Sequence, residues 1–251
     1  MTIFESFGDP SSGTEMLFRW GHVMAGITWI GLLYFFNFVQ VPAYAEMSPA
    51  ARGEAFDKLT WRALWWFRWA AALTFLTGVM ILGVQKALGS EFTTYFAGPQ
   101  GTSIAWGATL GTIMFLNVWG VIWRNQKVVI ASERAKLGGG EGDPAQPTAA
   151  KKAARASRAN ALFSIPMIWF MVFTSHFSFA YADPNGGHLF GAWAVFLIVV
   201  GFIEASALGL LGGLDSSFNK NVFDKHRSTI IAGFVVWGFL FIGGWEVIIG
   251  S

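Results

Sequence analysis

The chain has 251 residues, of which 54% are hydrophobic, 17% aromatic and 13% charged, with 25 Phe, 13 Trp, 30 Gly and no Cys. A soluble domain carries about 25% charged residues; half that share cannot coat a water-facing surface, and the apolar residues come in blocks rather than in alternation. This composition is that of an integral membrane protein, and it excludes disulfides, iron–sulfur clusters, Cys-ligated zinc and a C-x-x-C-H haem attachment.

A helix crosses the hydrocarbon in about 20 apolar residues. Six windows reach that length, over 20–41, 63–85, 103–123, 160–180, 189–211 and 229–249, each bounded by polar residues, Pro or Gly. The expected fold is all-α: a bundle of about six transmembrane helices forming a single domain over 1–251. The third window continues into water as a helix through IWRNQKVVIASERAK. Residues 136–157, with the run GGGEGDPAQPTAAKKAARAS, read as a flexible cytoplasmic loop.

Charge orients the bundle. Arg52, Lys58 and Arg62, then the eight basic residues from Arg124 to Arg158, then Lys220, Lys225 and Arg227 all fall in the 1–2, 3–4 and 5–6 connections. The positive-inside rule puts those connections in the cytoplasm, hence both termini in the periplasm and the protein in the bacterial inner membrane. The basic residues cluster by connection and not by aromatic interleaving, so no nucleic-acid partner is expected. A Gly-rich bundle with many aromatics is compatible with a homo-oligomer, although no feature demands one.

Ionisable groups within a bilayer are costly and point to function. His22 and His176 each lie near the outer end of their spans, at about the same depth. Two imidazoles at equal depth on separate helices suit one metal or the two faces of a haem, and with no Cys, Asp or Glu beside them they favour b-type haem iron. The alternative is that each only bonds a neighbouring helix or interfacial water. Arg19, close to His22, is either a partner for a haem propionate or an interfacial anchor.

Arg68, Asn117 and Glu204 form a second polar layer in the inner third. Arg68 and Glu204 are expected either to pair structurally or to line a cavity for a polar anion. The run WRALWWFRW from Trp61 is an interfacial belt or, through Trp65 and Trp69 on one face, a wall for a planar ligand.

Four segments go beyond composition: HVMAGITWIGLLYFFNFVQVPAY from His22, RALWWFRWAAALTFLTG from Arg62, NVWGVIWRNQKVV from Asn117, and ASRANALFSIPMIWFMVFTSHF from Ala156. With these the chain resembles the membrane domain of the PuuD-type bacterial urate oxidases over nearly its whole length. More loosely, span 1 is similar to membrane haem proteins of the HemJ type, whose deep Lys has no counterpart in span 3.

The first resemblance implies oxidation of urate to 5-hydroxyisourate, with electrons passed to a cytochrome rather than to peroxide. It strengthens His22 and His176 as ligands of haem b, while chemistry alone makes Arg68, Asn117 and Glu204 the candidates for catalysis and Arg68 and Trp65 those for holding urate, a planar anion. Family members of full length end in a c-type cytochrome domain, which this sequence, ending at Ser251, does not contain. A separate c-type cytochrome acceptor is therefore expected. The alternative is a non-catalytic haem-binding or structural subunit of a larger respiratory or oxidase complex.

Overall fold

The computed structural model describes residues 13–83 and 92–250, except the side chains of 92 and 93. No strand occurs among the described residues. Six helices are long and apolar enough to cross a membrane: span 1 (Gly13–Glu46), span 2 (Pro49–Leu82), span 3 (Pro99–Leu137), span 4 (Gln146–His176), span 5 (Gly186–Ala207) and span 6 (His226–Ile249). This is the expected all-α membrane bundle. The 1–2, 3–4 and 5–6 connections share one end, here called the basic end. The ends of spans 2, 4 and 6 and the starts of spans 1, 3 and 5 make the far end.

Span 4 is the axis of the bundle. Its apolar window is 67% buried, against 22–33% for the other five. Leu162, Phe163, Met167, Phe170 and Phe173 enter the core that spans 3, 5 and 6 close around it. Spans 1 and 2 pair chiefly with each other. The outward faces, such as Trp20, Val23, Met24 and Ile27 on span 1 and Ile231, Phe234 and Val235 on span 6, remain apolar and exposed. Lipid covers such a surface favourably.

Two expectations for the 3–4 connection separate here. The third span does continue as a helix, through Trp123–Leu137. The flexible loop expected over 136–157 is mostly helix, because span 4 begins at Gln146. The physical reason lies in TAAKKAARAS: Ala, Lys and Arg are the strongest helix formers, and a Pro in the first turn costs nothing there. The connection shortens to 138–145, turning at Gly139, whose φ of +80° suits a residue without Cβ.

The added turns of span 4 have a task. Arg155 and Arg158, expected among solvated basic residues, are 6% and 7% exposed. Arg155 donates to the carbonyls of Leu214 (3.2 Å) and Asn219 (3.1 Å) and pairs with Asp224 at 2.6 Å. Arg158 donates to the Phe223 carbonyl at 3.2 Å. Asn219 in turn donates to the carbonyls of Ser206 (2.7 Å) and Gly213 (3.0 Å). The two guanidinium groups thereby satisfy the irregular backbone of the 5–6 connection, as a bilayer-embedded fold requires.

Pro166 sits inside span 4 and cannot donate to the Leu162 carbonyl four residues back. Span 6 approaches at that point through Gly233. A Cβ there would lie 2.5 Å from Ile165 Cδ1 and 3.1 Å from the Leu162 oxygen. Gly233→Leu should therefore destabilise the protein by about 1–3 kcal/mol. Gly238→Leu, where a Cβ meets open space, should leave thermal unfolding in detergent unchanged.

Candidate functional site

The inner polar layer is built on a change of helical register. Span 3 turns π-helical over Asn117–Ile122: the Asn117 N–H still reaches Ile113 and Met114, whereas the Trp123 N–H reaches five residues back to Val118. Single π turns recur at functional sites because they re-aim side chains. Here Asn117, 3% exposed, turns toward spans 4 and 5. Its amide donates to Asn160 Oδ1 at 2.9 Å and to Glu204 Oε2 at 3.1 Å. Asn160, fully buried, donates to the Met114 carbonyl at 2.9 Å. Both amide hydrogens of Asn117 are thus used, and no Lys or Arg among the described residues pairs with Glu204.

Span 1 repeats the device. It is π-helical over Phe35–Gln40, and Asn37 donates to the Leu33 carbonyl and to Ser157 Oγ of span 4, both at 2.8 Å. One turn earlier on span 1, Tyr34 Oη bonds Ser164 Oγ at 2.8 Å.

Arg68 does not join this layer. Its guanidinium lies over the Trp123 ring, 3.8 Å from the centroid, and 5.8 Å from that of Trp119. Trp119 Nε1 donates to the Arg68 carbonyl at 3.2 Å, and Trp69 meets Trp119 edge-on at 5.4 Å. The expected Arg68–Glu204 pair is therefore not formed. Span 3 stands between them, presenting Asn117 to Glu204 and Trp119 and Trp123 to Arg68. Arg68 Nε is buried without an acceptor, and the guanidinium has no carboxylate partner among the described residues. Trp65 makes its ring contacts with Trp66 (5.1 Å) and Trp69 (6.4 Å) and stays about half exposed.

The far end holds the two histidines. His22, half buried on span 1, places Nδ1 2.8 Å from the Thr74 carbonyl and 3.2 Å from Thr77 Oγ1 on span 2. A Cβ on Gly78 would come within 3.1 Å of the imidazole, so glycine gives the ring its place. His176 directs Nδ1 at its own Val172 carbonyl, at 2.9 Å, and its ring is exposed. A carbonyl only accepts, so each neutral ring carries its proton on Nδ1 and leaves Nε2 as a bare lone pair. That is the state of a metal-binding imidazole whose second nitrogen is anchored by a backbone oxygen. No hydrogen bond joins the two rings, and Arg19 is engaged by Glu15 one turn back. No group of three or more His, Asp or Glu is gathered for a metal ion among the described residues.

Sequence reasoning missed Asn160, Ser157 and Ser164. Ser157 falls where the loop was expected and Asn160 at the first residue of the fourth window, and a helix beginning at Gln146 puts both in mid-bundle; Ser164 lies inside the expected span. Replacing Asn160 by Leu strands one hydrogen of Asn117 and removes one of the two donors to the Met114 carbonyl. It should cost about 1–2 kcal/mol, read as earlier thermal unfolding, whereas exposed Thr28→Ala should not.

Comparison with known proteins adds one match. Residues 87–206 fit the family described as urate oxidase N-terminal. No curated protein and no solved structure matches the chain. The matched stretch holds spans 3, 4 and 5, and with them the whole Asn117–Asn160–Glu204 network and His176; His22 and Arg68 lie before it. The match over residues 87–206 supports a membrane domain of the urate oxidase N-terminal kind.

Proposed function

We propose that this protein is a membrane-bound redox enzyme that oxidises urate to 5-hydroxyisourate and delivers the electrons to a c-type cytochrome in the periplasm. The observation that carries the reading is the state of the two far-end imidazoles, each anchored through Nδ1 with Nε2 bare. Those two nitrogens are the donors that would hold a b-type haem. When bound, such a haem supplies a one-electron couple tuned by its axial ligands and burial. The positive-inside rule makes the basic end cytoplasmic, so His22 and His176 sit toward the periplasmic face of a bacterial inner membrane.

The overall reaction balances as urate plus water giving 5-hydroxyisourate, two protons and two electrons, the electrons taken singly by two ferricytochromes. Urate is a planar anion at neutral pH. Arg68 offers it a permanent charge whose Nε hydrogen is unspent, and a guanidinium edge matches planar acceptors in pairs. Trp123 already covers one guanidinium face and orients it, while Trp69 and Trp119 supply neighbouring ring faces. Asn117 and Glu204 stand on the other side of span 3. Their role is to hold spans 3, 4 and 5 in register, at a distance from urate.

A second reading is favoured by one observation: no carboxylate among the described residues pairs with Arg68 to accept a proton. The chain would then be a haem-binding or structural subunit of a larger respiratory or oxidase complex. Urate-dependent reduction of ferricytochrome c by the purified chain in lipid nanodiscs separates the two. The enzyme reading expects turnover that falls by about 10–100-fold in Arg68→Ala, the loss of one charged hydrogen-bond partner. No urate-dependent reduction by the wild type would leave the subunit reading, and unchanged turnover in Arg68→Ala would remove the substrate site.

A further inference from the structure

The far half of spans 3 to 6 is packed with aromatic rings. Trp106 and Trp245 are fully buried with centroids 5.8 Å apart. Gly244 permits this approach, since a Cβ there would stand 3.0 Å from the Trp106 ring. Trp169 and Trp237 form a second pair at 5.1 Å, and Phe173 bridges them to Trp245, 6.0 Å from Trp169 and 5.1 Å from Trp245. The indole N–H groups of Trp106, Trp169, Trp237 and Trp245 are all buried without an acceptor.

The chain of rings ends at Tyr181, in the 4–5 connection, which meets Trp245 edge-on at 5.9 Å. Tyr181 alone differs from the indoles in its proton. Its phenol donates to Glu246 Oε1, on the neighbouring span 6, and Glu246 is exposed at the far end. The two partners of Tyr181 come from adjacent positions of one π-helical stretch, Phe239–Ile249: Trp245 points inward and Glu246 outward.

These differences sort the rings by what they can do after losing an electron. An oxidised indole is a strong acid, yet with no acceptor at its N–H it keeps the proton and remains a mobile cation. An oxidised phenol must lose its proton, and only Tyr181 in this cluster has a carboxylate placed to take it. We propose that Tyr181 and Glu246 form a proton-coupled redox site at the far mouth of the bundle, where oxidising equivalents leaving the buried tryptophans come to rest as a neutral tyrosyl radical.

The step balances: a Trp245 radical cation takes one electron from Tyr181 and becomes neutral indole, while the phenol proton moves to the Glu246 carboxylate, giving a neutral radical and a neutral acid. The initial electron is taken from Trp106 or Trp245 by a one-electron oxidant of the peroxyl-radical class, which leaves as the hydroperoxide anion and takes its proton from water. A water-borne reductant of the ascorbate class refills Tyr181 from the exposed side. Burial, then the hydrogen bond to Glu246 and its charge, push the Tyr181 phenol up to about 12, so it stays a proton donor at neutral pH. The proposal does not depend on haem or urate.

The test is flash oxidation of the purified chain in nanodiscs by photogenerated ruthenium(III) trisbipyridine, with the radical read by freeze-quench electron paramagnetic resonance. The wild type should give a tyrosyl signal. Tyr181→Phe should lose it and show a tryptophan radical instead, and Glu246→Gln and Trp245→Phe should each lose most of its yield. The chain has four tyrosines, so the triple change Tyr34→Phe, Tyr44→Phe, Tyr95→Phe should retain the signal, which reads the site without altering it. A tyrosyl signal that survives in Tyr181→Phe, vanishes in the triple variant, or is indifferent to Glu246→Gln would overturn the proposal.

Discussion

A polar group within hydrocarbon is costly unless it finds a partner inside the protein, and in this bundle span 4 supplies most of the partners. Ser157 and Ser164 take span 1, Asn160 takes span 3, and Arg155 and Arg158 take the connection between spans 5 and 6. Span 4 is the most buried helix and also the one to which spans 1 and 3 and the 5–6 connection are hydrogen-bonded. Apolar packing alone gives little preference among helices in lipid, whose tails are as apolar as Leu. The polar bonds fix which helix stands in the centre.

The π turns serve the same constraint. Asn37 and Asn117 each lie within such a turn. In each, the local shift in register lets one side chain reach a carbonyl on its own helix or a polar group on span 4. In span 3 that shift also divides the inner layer into two environments. One face keeps the Asn117–Asn160–Glu204 network; the other lays Arg68 on Trp123. Arg68 thus lies over an indole with its Nε unspent and with no carboxylate partner among the described residues.

Hydropathy and charge were enough to read the six spans, the common end of the basic connections and the helical continuation of span 3, because length and apolarity are properties of a sequence window. The segment 146–157 was misread because Ala and Lys at high density serve equally as linker and as helix, and only the docking of Arg155 on the 5–6 connection decides between them. The Arg68–Glu204 pairing failed for a different reason. Depth along a helix follows from residue count, but facing depends on phase, and a π turn between Leu116 and Trp123 changes phase without any mark in composition. Depth was sufficient for His22 and His176, which do lie at one end. The backbone oxygens that set their tautomers could not be read from sequence, since Thr74 contributes its carbonyl rather than its side chain.

The central claim is that these two imidazoles hold a haem. The most direct measurement is the reduced-minus-oxidised visible spectrum of the purified protein with a pyridine haemochrome count, for the wild type and for His22→Ala and His176→Ala. The account predicts a b-type haem in the wild type and its loss in both variants. A wild type without haem when expressed with ample haem supply, or haem content unchanged in both variants, would contradict it.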